Sequence, residues 1–452
     1  NIQRKRNLFN IKDGKMNKKS SIYCISLVMI LSMITKIISM ASRIIMSREL
    51  GVEAVSLYSL VNPIFVFLIT ISTFSLPTTI ATLVSKNPLK GKKIFITSLI
   101  IGIILNIFFI IIISFFSQYI AELLLHNYKT EPSIKLLALV VPLTTLSSII
   151  KGYFMGKKEL ILTSESSLIE ECSRLLSVIL LIGFFKNFDD EIKSTFFILV
   201  MIIGEIIQTS YLILSSGKKY IKNIYKLKDI FSSEDYIFNE VISLSLPLTL
   251  SRVVTSFSFM MEPIILTTLL FKQGYSSEEI TLNYGILSSY VMPLLLFPGF
   301  FSLAVSNYLL PNLSSLIAKN KYSEGQKLFY KILIFTGILG LFFTLIFMFF
   351  GDKIIQIIYH VNYGNKEIKL LAFPFIIYYI ETPINTAMHA LNQSKIAFKS
   401  SLISSCVRVI LLITLSKFFS YLSVAFSTLG ACYLDVLINY LTINKLFKRN
   451  NK

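Results

Sequence analysis

Four cationic side chains lie inside long apolar stretches of this sequence: Lys36, Arg174, Arg252 and Arg408. A cation at the centre of a membrane helix costs roughly 2.5–3.5 kcal/mol on insertion scales, so each of these groups is expected to face water, an anion or a partner. Arginine is suited to bidentate phosphate contact, and lysine supplies a compact point charge. The four residues therefore predict a cationic cavity that receives an anionic group.

A structural role is the alternative for the same cations. Glu170 precedes Arg174 by four residues and Glu171 precedes it by three, which is the spacing of ion pairs on one helix face. Interhelical ion pairs, or long side chains that reach the membrane interface, would also account for buried cations. On this interpretation Glu170 is the charge partner of Arg174, and no ligand is required.

Carboxylates also occur within the apolar stretches, at Glu205, Glu262, Glu381 and Asp435. Glu262 and Glu381 closely precede Pro263 and Pro383, and a proline frees backbone carbonyls that can help to bind a cation. We therefore take Glu262, Glu381 and Asp435 as candidate sites for a coupling ion, either Na⁺ or H⁺. The alternative is that these carboxylates neutralise the arginines.

The sequence contains no recognisable catalytic or metal-binding motif. It has no GxxxxGK[ST] phosphate loop, so ATP hydrolysis by this chain is not expected. Its cysteines include no CxxC pair, and no histidine stands at metal-ligand spacing. We expect a protein that is not an enzyme and needs no metal or other cofactor, apart from a coupling ion.

The elements that position these residues are predicted from hydropathy. Of the 452 residues, 54% are hydrophobic, and the mean hydropathy of +0.69 exceeds what a soluble core can bury. A helix needs about 20 apolar residues to cross the roughly 30 Å of hydrocarbon. The sequence predicts about twelve such segments in an all-α polytopic membrane protein. They lie near 21–42, 54–84, 94–117, 134–155, 165–185, 194–216, 240–270, 282–317, 328–350, 368–391, 396–416 and 419–444.

Two of the segments, 54–84 and 282–317, are too long for one straight crossing. A proline inside a helix removes a backbone hydrogen bond and bends the helix. Kinks or gating positions are therefore expected at Pro63 and Pro77, at Pro247 in the seventh segment, and at Pro293, Pro298 and Pro311.

Lysine and arginine are distributed unevenly between alternate connections. The chain has 44 Lys and Arg against 25 Asp and Glu, a formal net charge of +19. Most of the Lys and Arg fall in connections that share one side when the N-terminus is cytoplasmic, as the positive-inside rule requires. The excess charge therefore predicts topology rather than nucleic-acid binding. It places a multi-pass chain in the bacterial cytoplasmic membrane with both termini in the cytoplasm.

An internal repeat divides the chain into two halves. Four blocks recur at one offset of 234 residues: Lys135–Ala138 as Lys369–Ala372, Ser166–Ile169 as Ser400–Ile403, Cys172 and Arg174 as Cys406 and Arg408, and Phe184–Phe185 as Phe418–Phe419. An even number of helices per half gives a parallel repeat, and such transporters bind substrate between the halves. The predicted domains are a basic cytoplasmic N-terminus (1–19), two six-helix bundles (20–216 and 240–446), a cytoplasmic linker (217–239) and a tail (447–452).

Several short motifs occur in the order found in a known family. They are Arg48–Gly51, Tyr58–Pro63, Ser75–Ile80, Lys151–Gly156 with Glu170 and Arg174, Leu246–Leu250, Met292–Leu294, and Leu310–Pro311 with Ser314. The sequence resembles the stage V sporulation protein B and polysaccharide exporter branch of the multidrug/oligosaccharidyl-lipid/polysaccharide (MOP) flippase superfamily. The resemblance implies a MATE-like fold and movement of undecaprenyl-linked sugars, including peptidoglycan precursors, between leaflets. Many members of this branch have fourteen helices, and the two additional ones contribute to a lipid-tail groove in some relatives.

Three functions remain open on the sequence. The first is a flippase for an anionic lipid-linked glycan, in which cavity cations hold the pyrophosphate and one chain is the transport unit, with substrate and membrane lipid as its partners. The second is a cation-coupled multidrug exporter of the same fold, for which a more acidic cavity is expected. The third is a non-transporting scaffold of cell-wall or spore-envelope assembly.

Overall fold

The structure is a computed structural model that describes residues 18–215 and 235–450. Within these ranges every regular element is a helix. The predicted N-terminal segment up to residue 17, most of the predicted linker and residues 451–452 lie outside the described residues.

The first half contains seven helices, numbered here in chain order. They are α1 (Lys18–Leu50), α2 (Val52–Thr73), α3 (Leu76–Lys86), α4 (Gly91–Tyr119), α5 (Glu131–Gly156), α6 (Leu160–Phe185) and α7 (Asp190–Ser215). A π-helical turn, Ile120–Leu124, extends α4.

The second half contains nine helices because two of its crossings are interrupted. They are α8 (Asp235–Lys272), α9 (Ser277–Gly285), α10 (Met292–Leu296), α11 (Gly299–Ala318), α12 (Tyr322–Tyr359), α13 (Asn365–Ala372), α14 (Ile376–Ala390), α15 (Ser394–Phe419) and α16 (Ser423–Asn450). A π-helical turn, Ile286–Val291, joins α9 to α10.

The all-α polytopic fold predicted from hydropathy is confirmed. Nine stretches of the described residues are long and apolar enough to span a membrane, and one of them, Ser394–Asn450, contains both α15 and α16. The helix α6 is not among the nine, since every stretch of spanning length within it includes Glu170, Glu171 and Arg174. With α6 and the interrupted crossing α13–α14, the chain has about twelve crossings. The segment 368–391, predicted as one helix, is broken between α13 and α14 around Pro374.

Helix boundaries repeat with the same offset as the sequence blocks. Residues 160 and 185 bound α6, and residues 394 and 419, each 234 positions later, bound α15. The same shift carries the start of α5 to the start of α13 and the end of α5 to the end of α14. The two halves therefore build α5 and α6, and α13 to α15, from one pattern.

The two halves meet at the outer end, which is the end that the charge distribution predicts to face away from the cytoplasm. There α2 packs against α8 and α9. A Cβ atom at Gly285 would overlap the side chain of Ser56, so only glycine permits this approach of α9 to α2. One turn further along, the hydroxyls of Ser59 and Ser289 form a hydrogen bond between the halves. Small residues thus allow close helix packing, as is common inside membranes.

Polar contacts between the halves close the same end. The Asn127 side chain, between α4 and α5, donates to Thr281 Oγ1 at 2.9 Å. Lys129 Nζ forms an ion pair with Glu278 at 3.2 Å. The His126 ring stacks on Phe271 with centroids 4.9 Å apart. We call this set of contacts around residues 126–129 the outer clasp.

Two interrupted crossings end, at the inner side, in α3 and α11. These two helices pack mainly against different halves. Helix α3 packs against α5 of the first half, whereas α11 packs against α12 and α14 of the second. Within the described residues α3 and α11 share no comparable interface. The inner part of α8 also packs against α3 and α4, with Ile237 and Val241 buried against α3. The halves are therefore joined at the outer end and along α8, and they diverge between α3 and α11, which is an inward-facing arrangement.

Candidate functional site

Exposed cations at membrane depth lie on the first helix of each half. Lys36 and Arg43 are exposed on α1, and Arg252 is exposed on α8. Lys36 and Arg43 stand seven residues apart, about two helical turns, and so share one face of α1. None of the three forms an ion pair with any part of the chain that the structure describes. They are therefore free to bind an anion.

The surroundings of these cations connect the two halves. Arg252 Nη2 donates to the Thr78 hydroxyl of α3 at 3.3 Å. Arg43 interacts electrostatically with Tyr58 of α2 and with Tyr359 at the end of α12. Lys36 is close enough to Glu171 for an electrostatic interaction, without an ion pair.

Arg43 is a residue that the sequence prediction misplaced. Hydropathy ends the first segment at residue 42 and leaves Arg43 in an outer connection, whereas α1 continues to Leu50. Arg43 lies about 10 Å inside the helix end at 1.5 Å per residue. A seven-residue spacing from Lys36 was the available signal, since it places both cations on one helix face.

Arg174 is neutralised within its own half. Its guanidinium lies 2.5 Å from Glu170, 3.2 Å from Glu171 and 3.7 Å from Glu205. A Cβ at Gly204 would be 2.6 Å from Arg174 Nε, so the guanidinium lies directly against the α7 backbone. The predicted pair with Glu170 is thus present, and two further carboxylates join it.

The carboxylates around Arg174 have their own partners. Glu170 also pairs with Lys151 of α5 at 3.5 Å and accepts a hydrogen bond from Gln208. Glu205 accepts from the Ser147 hydroxyl at 2.6 Å. These contacts tie α5, α6 and α7 together, so the Arg174 cluster holds the first bundle together and leaves no unpaired cation for a ligand.

Arg408, which the repeat relates to Arg174, has a different partner. It forms an ion pair with Glu262 of α8 and lies over the Phe259 ring, 5.6 Å from its centroid. Glu262 also accepts a hydrogen bond from the Tyr284 hydroxyl at 3.2 Å. Of the two roles left open by the sequence, this geometry favours a counterion role for Glu262.

A second polar group lies between α14, α15 and α16 and is built mainly from side-chain oxygens. We call it the oxygen cluster, and it comprises Glu381, Asn385, Ser400, Asp435 and Asn439. Asp435 accepts from the Ser400 hydroxyl at 2.7 Å and from the Asn439 amide at 3.2 Å. The same Asn439 amide donates to Asn385 Oδ1 at 2.8 Å.

The two carboxylates of the oxygen cluster have no cationic partner among the described residues. Cys432 donates to Glu381 at 3.3 Å, and Glu381 and Asp435 are close enough to repel each other when both are charged. The Asn439 side chain is fully buried, and its Oδ1 has no hydrogen-bond partner in the described part of the chain. The same part contains no cluster of three His, Cys, Asp or Glu side chains suited to a metal ion.

A family model described as polysaccharide biosynthesis protein matches residues 24–317, which is more than half of the chain. The chain belongs to this family. It is 26% identical over 422 residues to stage V sporulation protein B of Bacillus subtilis (strain 168), covering 92% of this chain and 82% of that relative. The resemblance to this branch of the MOP superfamily, inferred above from short motifs, is confirmed.

Solved structures with the same fold include two transporters of different names. The lipid II flippase MurJ in an inward closed conformation is 16% identical and has a TM-score of 0.70, covering 92% of this chain and 87% of the other. An inward-facing multidrug resistance MATE transporter of the MOP superfamily is 12% identical and has a TM-score of 0.68, covering 92% and 95%. These likenesses establish the fold of this polysaccharide biosynthesis family member.

The prolines predicted to kink helices occupy two kinds of position in this family member. Pro63, Pro247 and Pro311 lie within uninterrupted helices. The breaks occur instead just before Pro77 and at Phe297–Pro298, and Pro293 lies at the start of α10 after the π-helical turn.

Proposed function

We propose that the protein moves an anionic undecaprenyl-linked oligosaccharide or peptidoglycan precursor across the cytoplasmic membrane by alternating access. The observation that carries this proposal is the set of three exposed, unpaired cations, Lys36, Arg43 and Arg252, on the first helix of each half. A cation without a partner at this depth is energetically costly, so its presence indicates a binding role. The family description, polysaccharide biosynthesis protein, and the name of the lipid II flippase support the same substrate class, whereas the name of the MATE transporter refers to drugs.

An anionic substrate fits the charge pattern better than a cationic drug does. A drug cation would require an unpaired carboxylate beside these cations, and in the described part of the chain the unpaired carboxylates of the oxygen cluster lie instead on α14 and α16. Glu170 and Glu205 are partnered around Arg174, and Glu262 is partnered by Arg408. The cations that remain unpaired are suited to the pyrophosphate of a lipid-linked sugar, since Lys and Arg are common phosphate ligands.

The route follows from where these cations lie. Lys36 and Arg43 stand about 10 Å apart along α1, so the anionic group is passed from one to the other along a single helix face. Arg252 approaches from the second half. The polyprenyl tail stays in lipid, the transport unit is one chain, and both termini lie in the cytoplasm.

The oxygen cluster is the proposed coupling site. Two close carboxylates without a cationic partner cannot both remain charged at low cost in a buried site, so they share a proton or bind a cation. The buried Asn439 Oδ1 supplies an additional oxygen that lacks a donor. An H⁺ or Na⁺ bound there drives the transition between inward-facing and outward-facing forms.

Reconstitution tests the substrate class. The protein is placed in vesicles with a fluorescent undecaprenyl diphosphate sugar, and transfer between leaflets is measured for the parent, for the variant Lys36→Ala/Arg43→Ala/Arg252→Ala and for the control Lys353→Ala. We expect the triple variant to lose at least tenfold in rate and the control to match the parent. Equal rates for the parent and the triple variant would overturn the cationic route. If the parent transfers no lipid-linked sugar but exports a cationic dye, the drug exporter is favoured.

A further inference from the structure

The second membrane crossing is interrupted by two residues in an unfavourable backbone conformation. Phe74 and Ser75, between α2 and α3, have φ values of 47° and 49°. Both are left-handed, although neither is glycine, and the Cβ atom disfavours this region. Ser75 is 1% exposed, and its hydroxyl has no hydrogen-bond partner among the described residues. The break is therefore maintained by what lies on either side of it.

The two sides of the break have different close contacts. Helix α2 packs against α5 and α7 of its own half and against α8 and α9 of the second half, where Gly285 leaves room for Ser56. Helix α3 packs mainly against α4 and α5 of its own half, with a smaller contact to α8. A Cβ at Gly152 would lie 2.6 Å from the Pro77 carbonyl oxygen, and a Cβ at Gly156 would lie 2.7 Å from Val84 Cβ. Three close contacts thus fix the helix segments on the two sides of Phe74–Ser75: one holds α2 to the second half, and two hold α3 to α5.

The related break in the second half lacks this backbone conformation. It falls at Phe297–Pro298, between α10 and α11, and both residues have ordinary right-handed values, with φ of −55° and −64°. The left-handed pair is therefore confined to the first half and does not follow from the repeat.

We propose that Phe74–Ser75 is a strained hinge that sets the balance between the inward-facing form and a form with a closed inner end. In the first form the left-handed pair is imposed by the three close contacts. In the second form α3 turns about the pair toward α11, the pair leaves the left-handed region, and its strain is released. The strain therefore favours closure. This proposal rests on the alternating access proposed above and explains where the first half bends.

The hinge is connected to the anion route by Arg252. Its guanidinium donates to Thr78, in the first turn of α3, directly after the break. A phosphate that binds Arg252 competes for this donor and weakens the hydrogen bond that holds α3 to α8 in the inward-facing form. Substrate binding at Arg252 and closure at the hinge are thus linked through one hydrogen bond.

Glycine substitutions test the hinge, with alanine as the matched control. Glycine populates left-handed and right-handed regions about equally, so Phe74→Gly or Ser75→Gly stabilises the inward-facing form relative to the closed one. Phe74→Ala and Ser75→Ala retain a Cβ and therefore the penalty. We expect each glycine to shift the equilibrium about five- to tenfold toward the inward-facing form, and each alanine to shift it less than twofold.

The measurement is a distance distribution between the inner ends of α3 and α11. Spin labels are attached at the exposed positions Ser85 and Ser315 of the full chain, with its four cysteines replaced by alanine, in lipid nanodiscs. Glycine variants that enrich the long distance, with alanine variants that do not, support the hinge. Identical distributions for glycine and alanine variants overturn it.

The outcome for the hinge is separable from the outcome for the proposed function. If the parent transfers a lipid-linked glycan but the glycine variants leave the distance distribution unchanged, the proposed flippase function stands and the hinge proposal is overturned. If the glycine variants change the distance distribution but the parent transfers no lipid-linked glycan, the hinge proposal stands and the substrate assignment is overturned.

Discussion

The Arg408 guanidinium forms an ion pair with the Glu262 carboxylate, although 146 residues separate the two in the chain. The repeat-related Arg174 is paired instead with carboxylates of α6 and α7. One position in the ancestral unit has therefore acquired two different sets of partners. In the second half the pair joins α15 to α8, the helix that also carries Arg252.

Removing one partner of this pair is expected to destabilise the second half. Glu262→Gln leaves the part-buried Arg408 guanidinium without a counterion, and the loss costs up to roughly 3–5 kcal/mol, the range for fully buried pairs. The double variant Glu262→Gln/Arg408→Met removes both charges and should recover most of the loss. Thermal unfolding in detergent measures both. A double variant no more stable than the single variant would contradict the assignment of Glu262 as a counterion.

The contact between Gly204 and Arg174 gives a prediction with a built-in control. A methyl group at Gly204 displaces the guanidinium, so Gly204→Ala is expected to destabilise the protein by about 1–3 kcal/mol. Gly183, in α6, has no atom within 4 Å of its ideal Cβ position. Gly183→Ala should therefore leave the protein unchanged or stabilise it by about 0.4–1 kcal/mol. Similar unfolding temperatures for the two variants would show that the contact between Gly204 and Arg174 does not affect the stability of the protein.

The oxygen cluster predicts the ion dependence of transport. Asp435→Asn and Glu381→Gln each remove a charge that a proton or Na⁺ would neutralise, so transfer should lose its dependence on Na⁺ or on pH. The surface change Glu324→Gln is the control, since Glu324 pairs with Lys321 at an exposed site. Transfer rates are measured in vesicles with and without imposed gradients. An unchanged ion dependence in both cluster variants would remove the coupling site from α14–α16.

The outer clasp predicts a pH effect on opening. Partial burial, followed by the nearby Lys272 charge, lowers the pKa of His126 below its usual 6.5. The closed clasp therefore favours the neutral ring, and its stability falls as the pH drops below about 6.5, because the opened form binds the proton more readily. Lys129, the other charged residue of the clasp on this side, is paired with Glu278.

Hydrogen–deuterium exchange of residues 120–131 at pH 7.5 and 5.5 measures clasp opening. After correction for the intrinsic rate, exchange should be faster at pH 5.5 in the parent. His126→Asn should show a smaller pH difference, since it cannot take up the proton. An equal pH difference in the parent and the variant would exclude His126 as its source.

Much of the fold was predictable because membrane insertion depends on local sequence. Hydropathy located most crossings within a few residues, and the 234-residue offset matched α6 to α15 at both ends. The pair of Glu170 with Arg174 was predictable for the same reason, since both lie on one helix. The pair of Arg408 with Glu262 was not, because it depends on the packing of α15 against α8.

Two features of the site required the structure for other physical reasons. Arg43 was assigned to a connection because a charged residue ends a hydropathy window, although a helix continues past it. The left-handed conformation of Phe74 and Ser75 was not predicted, since neither residue type favours it. The proline rule pointed to Pro63 and Pro77: α2 passes through Pro63 without interruption, and the break lies just before Pro77.

The separate neutralisation of Arg174 and Arg408 has a consequence for biosynthesis. The Arg174 partners lie on α6 and α7, so these charges are matched before α8 leaves the ribosome. Arg408 finds its counterion on α8, which is already in place when α15 is made. Each bundle thus enters the bilayer without waiting for charges from the other, and the interface between them is left free to move.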